Sequence, residues 1–278
     1  MRFHTFVCRA TAAALLALPA NLRAQTADAP PASIVADAYL DGAYVWRGIT
    51  FTNRPVVQAD VALNVVTGPG TISGGVWANA EPRDYTGAHD IRLIAPGHAG
   101  PAVTALTTWF DLTHTAGRLA STVGVTSYWY PSITGYAAQF NSSEIYGRLA
   151  LATALSPRLA VYMDVEKVRG AYVEASVTAP VPVGAHTLSL GATAGASAGQ
   201  AVAHNQSAYF ARNGVAFGDL SATTAFALRG VSLAPTLHVL LDRDPWTRVT
   251  ALDGATHAVK SWVGVTASWA HEVPRPRR

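Results

Sequence analysis

The segment Ala36-Asp37-Ala38-Tyr39-Leu40-Asp41 alternates small or apolar residues with polar ones at every second position. Side chains of a β-strand point alternately to its two faces, so this segment has one polar face and one apolar face. When the same count of every second residue is continued, Arg47 falls with the polar residues and Trp46 falls with the apolar ones. The segment therefore predicts a strand that separates water from an apolar environment.

Blocks of this kind recur along most of the chain. We predict about twelve strands, each near the ten-residue length of a tilted membrane-spanning strand. After residue 24, no apolar run is long enough for a membrane-spanning helix. The predicted fold class is therefore all-β, a transmembrane antiparallel β-barrel, and its strands cover 34–48, 55–66, 71–80, 103–114, 118–129, 143–154, 158–167, 171–180, 185–195, 218–229, 231–242 and 259–270.

The connections between these strands alternate in length. Every second one is compact, and most of these contain Gly or Pro, as tight turns require. A membrane barrel has short turns on one side and longer loops on the other, whereas a secreted soluble sandwich has no reason to sort its loops in this way. We therefore favour the barrel over the sandwich. The compact connections are 67–70, 115–117, 155–157, 181–184 and 229–230, and the exceptions on the other side are the short connections 49–54 and 168–170.

Composition agrees with a wall that faces lipid. Hydrophobic residues make up 50% of the chain and charged residues 13%, against about 25% charged in a typical soluble domain. The formal net charge is +3, and no basic cluster points to a nucleic-acid partner.

The chain divides into one folded domain and short flanking segments. Residues 1–24 have a positive start followed by a short apolar run, the layout of a secretory signal peptide. Residues 25–33 are expected to be a flexible lead-in, 34–270 the outer-membrane barrel and 271–278 a basic tail. The only cysteine, Cys8, lies in the signal segment, which leaves no thiol-based metal site in the processed chain.

Several aromatic residues lie near predicted strand ends. They include Tyr44, Trp46, Tyr128, Trp129 and Trp269. Amphipathic rings gather at lipid–water boundaries, so we predict that these residues form a girdle around the barrel.

Four motifs in order resemble one family of outer-membrane proteins. The segments 44–48 (YVWRG) and 55–58 (PVVQ) resemble the opening hairpin of the TorF-type porins. The segment 74–79 (GGVWAN) is similar to their third strand, and 128–131 (YWYP) with 143–146 (SEIY) to their central hairpin. The resemblance implies an outer-membrane β-barrel with a role in transport, and it supplies no substrate. Barrels of this kind usually end on an aromatic residue, whereas here nine further residues, 270–278, follow Trp269.

The polar phase predicts the residues that line the lumen. Acidic residues outnumber basic ones in this set, and carboxylates in a pore favour cations, so we predict a mild cation preference. The alternative is that these side chains form an internal network that fills the barrel, so that the protein conducts little. Eight-stranded barrels are filled by side chains and sixteen-stranded barrels leave an open channel, and a barrel of about twelve strands is intermediate in size. The predicted pore-lining residues are Asp37, Tyr39, Asp41, Arg47, Asp60, Glu144, Arg148, Asp164, Glu174 and Arg229.

Support for catalysis is weak. No HExxH motif or zinc-helix spacing of histidines occurs. His114 and His186 have a suitable phase for a serine–histidine pair, with serines such as Ser121 nearby on other strands, but no third orienting group accompanies them. We predict no catalytic residues, no metal ligands, no cofactor and no enzymatic activity.

These observations predict a passive channel for small hydrophilic solutes in the outer membrane of a Gram-negative bacterium. The expected partners are membrane lipids, the outer-membrane assembly machinery and the solutes themselves. The long connection 81–102 is expected to fold inward and narrow the mouth. Two alternatives remain open: a lipid-modifying hydrolase barrel, and a structural or docking barrel with a plugged lumen.

Overall fold

The computed structural model describes residues 31–83, 100–131, 141–201, 208–248 and 256–273. None of these residues forms a helix long and apolar enough to cross a membrane. The signal segment 1–24 and most of the connection 81–102 lie outside the described residues. The described strands are β1 (Ala32–Asp41), β2 (Tyr44–Trp46), β3 (Ile49–Thr52), β4 (Val56–Val66), β5 (Thr71–Glu81), β6 (Ala102–Ala116), β7 (Leu119–Trp129), β8 (Ser142–Leu151), β9 (Arg158–Asp164), β10 (Gly170–Val183), β11 (His186–Ala198), β12 (Gly214–Thr224), β13 (Phe226–Leu228), β14 (Val231–Asp242) and β15 (Val259–Val273).

Antiparallel pairing closes the wall. Strand β1 pairs with β4 on one side and β15 on the other, and β12 pairs with both β11 and β14. Strand β13 continues β12 after Ala225 and also pairs with β14, so the two share one position in the wall. The described strands therefore form a closed barrel with twelve wall positions, which confirms the predicted all-β barrel fold class.

The wall sorts its side chains as the alternation predicts. In β1, Tyr39 and Asp41 point into the barrel and are buried, whereas Leu40 between them is 59% exposed on the outer face. A barrel that presents such residues to lipid and encloses its polar ones has the architecture of a transmembrane barrel. Other exposed apolar residues of the outer face are Val57, Val61, Leu63, Val123, Val125, Ile145, Leu149, Leu190, Leu220, Leu237 and Val263.

The compact connections lie at one end of the barrel, here called the turn end. Ala32 at the start of β1 pairs with Val273 at the end of β15, so both ends of the described chain lie there too. Gly117, Gly184 and Gly230 adopt positive φ angles in three of the turns, a conformation that glycine reaches without steric cost. The predicted alternation of connection lengths is confirmed, and the opposite end is called the loop end.

The first predicted strand ends earlier than expected. Strand β1 stops at Asp41, and residues 44–52 form a hairpin whose strands β2 and β3 pair only with each other among the described residues. All nine residues of this hairpin are buried. The predictions of a single strand over 34–48 and of a short external loop at 49–54 are therefore wrong. The alternating pattern misled because a strand inside the lumen can carry the same pattern as a strand in its wall.

The predicted aromatic girdle is correct only in part. Trp129 and Trp269 are exposed on the outer face. Tyr44, Trp46 and Tyr128 are buried and belong to one cluster inside the barrel. These three rings pack against other side chains in the lumen, so they cannot contact lipid.

The outward phase of β7 gives a direct test of lipid contact. Val125, near the middle of β7, is 50% exposed, and Leu119, at its turn end, is 41% exposed. Val125→Arg should lower the free energy of unfolding of the vesicle-inserted protein by about 2–4 kcal/mol, because a charge at the membrane midplane is strongly disfavoured. Leu119→Arg is the matched control and should cost about 0–1 kcal/mol, because it lies near the interface. Urea titration of vesicle-refolded protein measures both values, and equal costs would contradict a lipid-facing wall.

Candidate functional site: a hairpin inside the lumen

The hairpin β2–β3 turns at Arg47 and Gly48. Both residues have positive φ, 52° and 81°, and Trp46 pairs with Ile49 across the turn. Two consecutive positive φ angles are the signature of a type I′ turn. A Cβ atom at position 48 would lie 3.0 Å from Cδ1 of Phe217. The tip of the hairpin is thus pressed against β12, and arginine occupies a left-handed conformation that is uncommon outside glycine, asparagine and aspartate.

Arg47 reaches the opposite wall and binds Glu144 of β8. Its Nη1 and Nη2 atoms donate to Oε1 and Oε2 of Glu144, both at 2.7 Å. Glu144 also accepts from the hydroxyl of Tyr128 at 2.8 Å and from Nε2 of Gln200 at 3.3 Å. Both charges are fully buried. This parallel two-bond geometry is the strongest form of an arginine–carboxylate pair, and it offsets the cost of removing both groups from water.

Aromatic rings surround the same guanidinium. Its Cζ atom lies 4.2 Å from the ring centre of Tyr172, 4.7 Å from that of Tyr162 and 4.4 Å from that of Trp46. Each distance is within the range of a cation–π contact. Burial is the largest single influence and lowers the pKa of Arg47, but the charge of Glu144, its hydrogen bonds to the guanidinium and the neighbouring Tyr128 and Tyr172 together raise that pKa overall. Arg47 therefore remains a cation inside the barrel.

Two further contacts fasten the hairpin to other parts of the wall. Nζ of Lys260, in β15, donates to the carbonyl of Gly48 at 2.9 Å and forms an ion pair with Asp242 at the same distance. The hydroxyl of Thr52 donates to Glu81 at the loop end of β5. The hairpin is thus attached to β5, β8 and β15, on well-separated sides of the lumen.

Aromatic packing fills the space between these attachments. Phe51 stacks on Tyr130 with ring centres 5.5 Å apart, and Trp46 meets the ring of Tyr209 edge-on at 4.9 Å. Tyr44 packs against Trp77 of β5 at 5.4 Å. The hairpin consequently lies across the lumen at the loop end, with aromatic contacts on several sides.

The structure places most of the predicted pore-lining residues inside the barrel. Arg148 is partly buried and donates to Asp111 at 2.7 Å, and Tyr146 donates to the same carboxylate at 2.9 Å. Arg47 is inside as well, but on the hairpin and not on the wall. That these residues line a conducting path stays a prediction. The predicted wall residues found buried are Asp37, Tyr39, Asp41, Asp60, Glu144, Asp164 and Glu174.

Arg229 is the residue whose predicted placement fails. The strand predicted over 218–229 ends at Leu228, and Arg229 occupies an exposed turn with a φ of 46°. The turn between β13 and β14 contains only Arg229 and Gly230. A two-residue turn requires positive φ at this position, so Arg229 leaves the alternation of the strand and is exposed at the turn end.

Carboxylates dominate the interior charge. His238 is bound through Nδ1 to Asp219 at 2.9 Å and stacks on Trp262 with ring centres 4.7 Å apart. Sequence reasoning missed Glu81, Asp242, Asp244, Gln200 and Lys260, which sit at strand ends or in connections where alternation gives no signal. Among the described residues, the buried acidic and basic side chains are Asp37, Asp41, Asp60, Glu81, Asp111, Glu144, Asp164, Glu174, Asp242, Asp244, Arg47 and His238.

The serine–histidine candidate forms only part of a catalytic arrangement. His114 and Ser121 are register partners across β6 and β7 at the turn end. Nδ1 of His114 lies 2.8 Å from the carbonyl oxygen of Pro69, which fixes the ring on the exposed side. No hydrogen bond between Ser121 and His114 is found among the described contacts. Within the described residues, no group of three or more metal-ligating side chains converges either.

Comparison with known proteins gives structural likeness without sequence likeness. No family model matches the chain, and no curated protein matches it. An outer membrane channel from Pseudomonas putida F1 is 12% identical, with 90% of this chain and 100% of that chain covered and a TM-score of 0.48. LpxR from Salmonella typhimurium is 8% identical over 85% and 99% of the two chains with a TM-score of 0.47. A KdgM porin is 7% identical over 85% and 98% with a TM-score of 0.44. The strand pairings described above establish the barrel independently of these likenesses.

Removing the partner of Arg47 tests the ion pair. Glu144→Ala should lower the free energy of unfolding by about 3–5 kcal/mol, because it leaves a buried guanidinium without its carboxylate. Glu166→Ala is the matched control, since Glu166 is an exposed carboxylate at the same end of the barrel that accepts only from Ser143 in the described contacts. Denaturant unfolding of the refolded barrel measures both. Equal effects of the two substitutions would show that the pair does not hold the hairpin.

Proposed function

We propose that this chain is a porin-like channel in the outer membrane of a Gram-negative bacterium, related to the TorF-type porins. It passes small hydrophilic solutes by diffusion and prefers cations. The observation that carries the proposal is a closed barrel with an apolar outer face and an interior in which carboxylates far outnumber basic groups. A polar interior surrounded by such a wall forms a water-filled channel in porins, and this supports the passage of water-soluble molecules.

The cation preference rests on the distribution of the interior charges. Asp37 of β1 and Asp60 of β4 are register partners, and both are buried on the lumen side. Asp41 lies on the same face of β1, closer to the loop end. Carboxylates arranged along a pore lower the energy of a cation there and raise that of an anion. The proposed mechanism is passive, with no covalent step.

The hairpin β2–β3 makes this a channel with a built-in closure. Its residues 44–52 fill the lumen at the loop end, where a solute would enter or leave. Conduction therefore requires the hairpin to shift, which breaks the Arg47–Glu144 pair and the Lys260 contact. We expect low conductance in the resting state, since several buried contacts oppose the shift.

The buried hairpin also favours a second candidate, a structural or docking barrel with a plugged lumen. The two functions predict different results for removal of the hairpin. A channel gains conductance, whereas a docking barrel keeps a filled lumen or loses its fold. A third candidate, a lipid-modifying hydrolase, depends on His114 and Ser121 and predicts lipid cleavage that Ser121→Ala abolishes.

Replacement of the hairpin tests the closure. Asp41 pairs directly with Val56, so residues 42–55 can be replaced by Asn-Gly in a two-residue turn that continues the register of β1 and β4. The variant should fold, because no wall strand is altered, and its single-channel conductance should exceed that of the wild type several-fold. Planar-bilayer recording measures it. A folded variant with unchanged, negligible conductance would reject the channel and favour the docking barrel.

Reversal potentials test the selectivity. In a salt gradient, the hairpin-replaced protein should pass potassium in preference to chloride, because its lumen retains Asp37 and Asp60. The double variant Asp37→Asn/Asp60→Asn in that background should be less cation-selective, and Glu166→Gln at the exposed rim serves as the matched control. Anion selectivity, or a control that shifts as far as the double variant, would contradict the proposed role of the interior carboxylates.

A further inference from the structure

We infer that the pocket around Arg47 is a binding site for solutes that carry a guanidinium group, and that the chain's own arginine occupies it in the closed state. The guanidinium cage is defined as Tyr128, Glu144, Tyr162, Tyr172 and Gln200. This inference rests on the proposed channel function, because it assigns a solute class to the same lumen.

The cage belongs to the barrel and not to the hairpin. Tyr128 lies in β7, Glu144 in β8, Tyr162 in β9 and Tyr172 in β10, so four consecutive wall strands supply its main groups. Gln200 follows β11 and is also held by the wall, because its Nε2 atom lies 3.4 Å from the carbonyl of Gly170. If the hairpin moves away, these groups remain on a rigid scaffold.

Contacts outside the hairpin already fix the orientation of the cage. Tyr128 and Gln200 hold the Glu144 carboxylate through the hydrogen bonds given above. The hydroxyl of Tyr172 donates to Glu174 at 2.9 Å, and its ring stacks on Phe210 with an interplanar angle of 5°. A binding site whose groups are held in place by a second layer loses little freedom when its ligand arrives.

The geometry selects the chemistry of the ligand. A carboxylate whose two oxygens each accept from a different nitrogen matches the planar fork of a guanidinium, and a lysine-type ammonium lacks that fork. Tyrosine rings at 4.2 Å and 4.7 Å from Cζ favour a flat cation that they can face. An anion would meet the buried carboxylate of Glu144 and is excluded.

The conformation of Arg47 indicates how a solute and the closure are connected. Arg47 holds its left-handed φ of 52° at the turn while its side chain is in the cage. The two-residue turn requires this φ, and the contacts of the Arg47 side chain with the cage hold the tip of the hairpin against the wall. A solute guanidinium that takes the cage removes those contacts, so solute binding and release of the hairpin are coupled. Binding of the two guanidinium groups is therefore competitive.

Methylguanidinium, which reproduces the end of an arginine side chain, tests the site on the refolded full barrel. In Arg47→Ala the cage is vacant while Trp46 remains beside it, so a millimolar titration should give a saturable change in tryptophan fluorescence. The same titration of Arg47→Ala/Glu144→Gln should give no saturable change. Urea matches the planar shape without charge and ethylammonium the charge without the fork, so both should bind more weakly.

The wild type and a conservative variant extend the test. Half-saturation of the wild type should require at least about tenfold more methylguanidinium than that of Arg47→Ala, because the tethered Arg47 acts as a competitor of high local concentration. Arg47→Lys keeps the buried positive charge and provides a folded protein if Arg47→Ala does not refold. It should respond at lower concentration than the wild type, since lysine fills the cage without the two-bond geometry.

The outcomes separate the site from the channel. Absence of saturable binding in folded Arg47→Ala or Arg47→Lys, or equal binding of ethylammonium, would overturn the guanidinium site. Saturable, Glu144-dependent binding supports it even if no variant conducts in planar bilayers, in which case the channel proposal fails alone. If the hairpin-replaced protein conducts and methylguanidinium does not bind to Arg47→Ala or Arg47→Lys, the channel proposal is supported and the guanidinium site is rejected.

Discussion

Closure of the wall by hydrogen-bonded strands is the constraint on which the rest of the structure depends. In lipid, a backbone amide or carbonyl without a partner is so costly that a sheet must have no free edge. The pairings of β1 with β15 and of β12 with β14 remove the edges, and they enclose every second side chain. Once the wall is closed, most of the charged side chains of its strands are placed in the lumen, and most of the large aliphatic side chains of those strands are placed on the outer face.

Charged side chains enclosed in the lumen are removed from water, so they require partners inside the barrel. The chain pairs Arg47 with Glu144, Arg148 with Asp111 and Lys260 with Asp242, and it surrounds the first pair with aromatic rings. Some of these groups join segments that are far apart in sequence: Arg47 and Glu144 are separated by 97 positions, and Lys260 also binds the carbonyl of Gly48, 212 positions away. The hairpin is therefore as much a consequence of the interior charges as of its own sequence.

Sequence patterns predicted the features that depend on neighbouring residues, such as strands and turns, and missed those that depend on contacts between distant residues. Alternation located β4 and β14 to within a residue at either end, and glycine-containing turns located the turn end. The same alternation continued through Gly42 into Tyr44 and Trp46, and only the closed barrel shows that these residues lie within the lumen. Gln200 and Lys260 gave no signal, because their partners lie on other strands. The acidic character of the interior was predictable, whereas the guanidinium cage could be recognised only from the three-dimensional arrangement.

The position of the hairpin can be measured by chemical labelling. Without residues 1–24 the chain contains no cysteine, so Ile49→Cys, at a fully buried position, and Asn53→Cys, at an exposed one, give clean single-site reporters in vesicle-refolded barrels. A membrane-impermeant maleimide should label position 53 rapidly and position 49 much more slowly. Equal, rapid labelling of both positions would place the hairpin outside the lumen and contradict this account.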